Sequence, residues 1–233
     1  LPASSIGMAI ATMTSPTGRS HTFDRRADGF GRGEGASTMA MATVSRRLEM
    51  RGSAVRQDGR SASLTAPNGQ AQMGLLRAAL KDAIMAADAL TVSEAHGTGT
   101  VLGDPIEVGS TVSAVLGTQR RALVLVFGGV KGNLGHGEST AGATGLLKLA
   151  IGLESGNVRP NALLQTLNSH LSGSLRSTSM VLPIQSAEVR KKTIRFGGVS
   201  SFGYSGTIAH AVANGRVADG QMESQLDVTP QRW

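Results

Sequence analysis

The stretches Glu94-Ala95-His96-Gly97-Thr98-Gly99-Thr100 and Lys131-Gly132-Asn133-Leu134-Gly135-His136 set two histidines, two hydroxyls and a lysine in glycine-rich turns. Each stretch follows a short apolar run, so its polar side chains stand at the end of a buried strand. A site in that position is dry on one side and open on the other. Histidine fits such a place because it donates a hydrogen bond while neutral and exchanges a proton near neutral pH. The nucleophile that such a site would serve is missing, because the chain has no cysteine.

The remaining composition narrows the classes. The 233 residues suffice for one large domain or two small ones. With 40% hydrophobic residues, 17% charged residues and 31 glycines, the chain reads as a globular α/β protein rich in tight turns. A net charge of +7 and a pI near 10.7 raise a nucleic-acid reading. Against it, the basic residues are scattered, with short clusters such as Arg25-Arg26, Arg120-Arg121 and Arg190-Lys191-Lys192. Aromatics are 3%, too few for a stacking platform. An acidic protein partner suits this surface better, and no nucleic acid is expected.

The lack of cysteine excludes disulfides and thiolate metal sites. The longest apolar run, 122–127, is too short to span a bilayer. The start Leu1-Pro2-Ala3-Ser4-Ser5 has no Met and no basic region, so it reads as a chain cut from something longer rather than a signal peptide. The cytoplasm is the expected compartment, with an organelle left open. No phosphate-binding GxxxxGK[ST] or zinc HExxH motif occurs, and glycines 29–35 lack dinucleotide-binding spacing. No metal and no bound cofactor are expected.

The elements that must position the two turns follow from periodicity. Residues 6–14 are weakly apolar and helical in character. Residues 19–35 form a polar, turn-rich stretch, and 36–44 leave strand and helix open. Residues 51–69 read as loop. Residues 71–87 carry Leu75, Leu76, Ala79, Leu80, Ala83 and Ile84 at helical spacing. A short strand over 90–95 leads into the His96 turn. Asp104-Pro105 opens a helix that continues over 106–116. Residues 123–130 read as a strand buried on both faces. A helix over 140–153 is small on one side (Ala141, Ala143, Gly145) and large on the other (Leu146, Leu147, Leu149). Phe196 to Ser201 runs into a third glycine-rich turn, followed by 209–212, and 214–233 reads as a polar tail. Strand, His turn, helix, strand, Lys–His turn, helix is α/β layering, with sites at the carboxyl ends of strands.

In this order the blocks resemble the ketosynthase (β-ketoacyl-acyl-carrier-protein synthase) domain of polyketide and fatty acid synthases. The resemblance runs from about His21 to Val212. It is carried by Phe23-Asp24, by Ala27 to Gly35, by Arg51 to Val55 with Gln57 to Arg60, and by Leu64 to Gly69. The blocks Glu94 to Glu107, Val130 to Gly142 and Gly198 to Thr207 complete it. It implies a thiolase-like α/β fold of helix–sheet–helix layers, here a partial domain covering mainly the carboxyl-terminal half. On that reading residues 1–213 are the partial domain, with 1–69 the end of the amino-terminal half, 70–213 the carboxyl-terminal half and 214–233 a tail.

The family joins an acyl chain on a cysteine to a carbanion made by decarboxylating a malonyl thioester. The resemblance makes His96 and His136 the catalytic histidines, whose N–H donors would hold the enolate oxygen, and Lys131 the site lysine. Thr98 and Thr100 match positions contacting the phosphopantetheine arm of an acyl carrier protein. Phe202 and Tyr204 would bind substrate, with the Tyr204 N–H in a second oxyanion hole and its ring gating the acyl pocket. Taken singly, the threonines could simply satisfy turn backbone, and Tyr204 could be an ordinary half-buried aromatic. Asp104 and Glu107 read as structural acids at a helix start, and Glu138 as a cap or a partner of Lys131.

The sequence also departs from the family. The family's cysteine lies upstream of the Phe23 block, so this chain would lack it. A non-catalytic ketosynthase-like subunit, shaping a dimer or chain length, is the alternative. Residues 35–51 are shorter than usual and lack a strand, insert and strand. Ile208 replaces an asparagine, which could loosen a turn, Ser139-Thr140 replaces two alanines, and Gly132 replaces a serine. The complete domain is expected to pair as a homodimer and to meet an acyl carrier protein. Without its other half it would expose apolar surface.

Overall fold

The computed structural model describes residues 2–43, 48–61, 66–117, 123–176, 178–189 and 194–216. The elements in chain order are α1 (Pro2–Ile10), β1 (Leu48–Gln57), α2 (Gly69–Asp82), β2 (Leu90–Glu94), α3 (Gly103–Thr111), β3 (Leu125–Gly128), α4 (Lys131–Leu134), α5 (Ala141–Ser155), β4 (Asn157–Val158), α6 (Ser169–Leu175), β5 (Met180–Val181), β6 (Ala187–Glu188), β7 (Ile194–Phe202) and β8 (Thr207–Arg216). Six strands form one sheet in the order β1-β8-β7-β2-β3-β5, and β4 and β6 pair separately. β7, β2, β3 and β5 run parallel, while β8 is antiparallel to both of its neighbours.

Helices cover both faces, as the layered α/β pattern requires. On one face α5 places Leu149 and Leu153 against Val92, Val126, Val199 and Ala213. On the other, α2 brings Ala79 and Leu80, and the wide turn that extends α3 brings Val115 and Leu116, against Leu90, Leu125 and Val212. Burial on both sides explains why β3 reads as a continuous apolar run; β2 is buried just as fully but alternates, with Thr91, Ser93 and Glu94 between its apolar residues. A third cluster, with Phe23, Ala95, Val108, Phe127 and Leu171, closes the end of the sheet that carries the histidine turns.

Several expectations are corrected. Residues 51–57 are not loop but most of β1, an edge strand paired along its length with β8. Its inward positions are small because α2 lies close: a Cβ on Gly52 would come within 2.4 Å of the Ala83 backbone nitrogen. The alternation there is one of size, not polarity. α1 spans Pro2–Ile10 rather than 6–14. Residues 36–43 form neither strand nor helix, and Val44 lies outside the described residues. α2 stops at Asp82, so Ile84 turns out at φ +49° and is 94% exposed.

On α5 the buried stripe is Ala141, Gly145, Leu149, Gly152 and Leu153, and Leu147 faces out. Ile208 sits in no turn. It is a fully buried residue of β8, opposite Phe202. Asn214 is likewise buried within β8, and residues 217–233 of the expected tail lie outside the described residues.

Candidate active site

Because β2, β3 and β7 are parallel, their carboxyl ends share one edge of the sheet. His96 follows β2, Lys131 opens α4 just after β3, and Phe202 ends β7. The structure therefore brings His96, His136, Lys131 and Phe202 together. The two imidazole rings meet edge to face, with centroids 5.5 Å apart at 82°. Phe202 lies against His96 at 5.3 Å, and Phe30 against His136 at 4.8 Å.

Each histidine is held by a backbone amide. The Phe202 N–H donates to His96 Nδ1 at 3.2 Å, and the Glu138 N–H donates to His136 Nδ1 at 3.0 Å. A nitrogen that accepts carries no proton, so in the neutral ring the proton sits on Nε2. Desolvation, with Lys131 and His136 adding, keeps His96 well below the ordinary imidazole value. Desolvation, Lys131 and Arg32 bring His136 down to about 4. Both rings are thus neutral Nε2–H donors at neutral pH.

The loops under them are fixed by buried polar side chains. Glu107 accepts from the His96 N–H at 2.7 Å and the Gly97 N–H at 2.8 Å. Asp104 accepts from the Phe23 N–H at 2.7 Å and the Gly99 N–H at 3.0 Å. Gly99 is indispensable here: it sits at φ +75°, and a Cβ would lie 2.8 Å from the His21 nitrogen. The structural role expected for both acids at the start of α3 is what the geometry shows. Burial raises Asp104 to about 6 and Glu107 to about 7, against the pull of their amide donors.

Lys131 is buried and donates to the His96 carbonyl. Burial lowers its pKa, and Glu107, Glu94 and Asp104 oppose that shift. Glu138 is not its ion-pair partner. It pairs with Arg32 at 2.7 Å, because the turn at 137–138 directs it outward. Thr98 and Thr100 bond each other at 3.1 Å, and the Thr100 hydroxyl accepts from the Gly103 N–H at 3.1 Å. Tyr204 lies in the turn after β7 and is 71% exposed, not half-buried.

Three supports were not anticipated from sequence. Glu94 accepts from the Val130 N–H and pairs with Lys148 of α5 at 2.8 Å. Asn161 accepts from the Gly129 N–H at 2.8 Å and donates to the Phe127 and Pro183 carbonyls. Phe30 flanks His136. Gly128 makes room for the ion pair, since a Cβ there would lie 2.9 Å from both Glu94 Oε2 and Lys148 Nζ. A separate cavity between the start of α2 and α3, lined by Arg60, Asn68, Met73, Ile106 and Ser110, takes in none of the histidines. Among the described residues no helix is long and apolar enough to cross a membrane.

Residues 48–165 match the family model described as β-ketoacyl synthase, C-terminal domain, and residues 1–47 match the N-terminal domain of the same enzymes. The chain belongs to the β-ketoacyl synthase family. It is 44% identical over 208 residues to a phenolphthiocerol/phthiocerol polyketide synthase of Mycobacterium tuberculosis, covering 85% of this chain and 11% of that protein. It is 36% identical over 215 residues to the highly reducing polyketide synthase azaB of Aspergillus niger, covering 89% of this chain and 8% of that protein. The ketosynthase from module 6 of the bacillaene synthase from Bacillus subtilis 168 superposes with a TM-score of 0.82 at 29% identity. That match covers 92% of this chain and 40% of the ketosynthase. The fold is therefore thiolase-like, and the chain spans part of a ketosynthase domain of the polyketide synthase kind.

Proposed function

We propose that these residues form the decarboxylation half of a ketosynthase centre acting on acyl-carrier-protein thioesters. The observation that carries this reading is the pair of amide bonds to Nδ1, which leaves two Nε2–H donors on adjoining rings. A malonyl thioester on the phosphopantetheine arm loses carbon dioxide, and the electron pair of the broken C–C bond becomes an enolate. His96 and His136 donate to its oxygen. Lys131 adds positive charge and favours the neutral imidazoles. The enolate carbon then attacks an acyl group held as a cysteine thioester. A C–C bond forms, the C–S bond breaks, and the thiolate is released. The chain contains no cysteine, so that sulfur comes from residues outside this sequence.

On this reading Thr98 and Thr100 would meet the arm, and Phe202 and the turn at Tyr204 would meet the acyl group. The pairing of β1 with β8 favours a division between the two halves ahead of β1 rather than at 69/70. The complete domain would act as a dimer. The second reading is a non-catalytic ketosynthase-like subunit, which a residue other than cysteine at the nucleophile position of the complete domain would favour.

The test is made with the complete domain, supplied with labelled acyl and malonyl carrier proteins. His96→Ala and His136→Ala should each slow carbon dioxide release by about 10²–10³. Acyl label should remain on the cysteine. A folded domain bearing the cysteine that takes no label, or releases carbon dioxide equally well without either histidine, would sink the catalytic reading.

A further inference from the structure

Glu138 is one of few non-glycine residues with positive φ, at +49°. Side chains strain that backbone region. Yet it is this conformation that turns the Glu138 N–H onto His136 Nδ1 at 3.0 Å. Its carboxylate meets Arg32 Nη2 at 2.7 Å, with both side chains about as exposed as each other, 38% and 37%.

Arg32 is itself fixed against the same histidine. The His136 N–H donates to the Gly31 carbonyl at 2.7 Å, and the Gly33 N–H donates to the His136 carbonyl at 2.9 Å, so Arg32 sits opposite His136 as in a parallel ladder. Phe30 packs on the ring. Residues 31–33 therefore hold the histidine backbone directly, Phe30 touches its ring, and Arg32 reaches the side chain by way of Glu138.

We propose that Arg32 is a positioning residue that acts through Glu138: the ion pair holds Glu138 in its left-handed conformation, and this fixes His136 as the Nε2–H tautomer. An ion pair of merely surface character would leave the tautomer unchanged when removed. The consequence for catalysis rests on the proposed function, but the tautomer does not.

Glycine adopts positive φ without strain, so it separates the two roles. The measurement is the ring nitrogen signals of His136 by long-range ¹H–¹⁵N correlation in the complete domain, alongside malonyl decarboxylation. Arg32→Gln should give a mixture of tautomers and a roughly tenfold slower decarboxylation, short of the loss on deleting the donor. Arg32→Gln with Glu138→Gly should restore the single tautomer and most of the rate. An unchanged His136 signal in Arg32→Gln would overturn the proposal, as would a mixture that Glu138→Gly does not correct. If the tautomer follows this pattern while no variant, nor the parent, decarboxylates, the positioning role stands and the proposed reaction fails.

Discussion

Replacing Lys148 by methionine removes one member of an ion pair that α5 sends into the base of the site. Glu94 is 2% exposed and Lys148 12%, and their 2.8 Å contact leaves Glu94 Oε2 facing an ammonium. The other carboxylate oxygen holds the Val130 N–H, one residue before Lys131. Without the cation, a buried carboxylate keeps a single amide donor. Breaking a buried pair on one side costs about 3–5 kcal/mol, whereas replacing both members with groups of similar volume is close to neutral. Lys148→Met should therefore destabilise the complete domain by about 3–5 kcal/mol. Glu94→Gln with Lys148→Met should return to within about 1 kcal/mol of the parent, because the glutamine oxygen still accepts from Val130. Urea titration followed by circular dichroism measures both. A single variant that loses less than about 1 kcal/mol, or a double variant less stable than the single, would show that the pair is solvated and the reasoning wrong.

Two further outcomes are expected. Burial lowers His210 from 6.5 to about 4, so the unfolded chain takes up a proton that the folded chain refuses. Its share of the stability is present above pH 6.5 and lost as the pH falls towards 4. Stability measured from pH 7 to 4 should thus fall less in His210→Leu than in the parent, by about 3 kcal/mol, and parallel curves would refute the assignment. The isolated chain, with Leu147, Ile151, Leu134 and Ile10 exposed, should associate or precipitate. A sharp cooperative melt of the monomeric chain would count against that.

The layered fold was legible because β3 is an unbroken apolar run, β2 leads straight into a glycine-rich turn, and the longer helices carry apolar residues at helical spacing. The edge was not. β1 places Gly52 and Ala54 inward and Arg51, Ser53 and Val55 outward, and no hydrophobic alternation survives when the inner face must be small. The same closeness shapes α5, whose small side in the sequence is the one that packs. Its packed face begins with Ala141 and Gly145, the glycine admitting Val199 and Glu94, and passes to leucine only at 149. Small residues marked the buried side, and Leu147 the open one.

In the candidate site, the histidines and Lys131 stood out because glycine turns after buried strands are visible in one dimension, and the family resemblance suggested their roles. What holds them was hidden, since each support crosses long stretches of chain. Glu94 reaches Val130, Asn161 reaches Gly129, and Asp104 reaches Phe23. These bonds share one form: a buried side chain accepts from a backbone amide of the loop that carries the chemistry. Such an arrangement leaves the reactive side chains free while fixing the backbone beneath them. It also answers the charge problem. Three carboxylates, on Glu94, Asp104 and Glu107, surround Lys131, and each offsets part of the burial that would otherwise strip its proton. After desolvation, the positive charge of Lys131 is the next cause that depresses both imidazoles. The acids that look structural in the sequence thus reach the histidines twice, through the loop geometry they fix and through the charge on Lys131 they sustain.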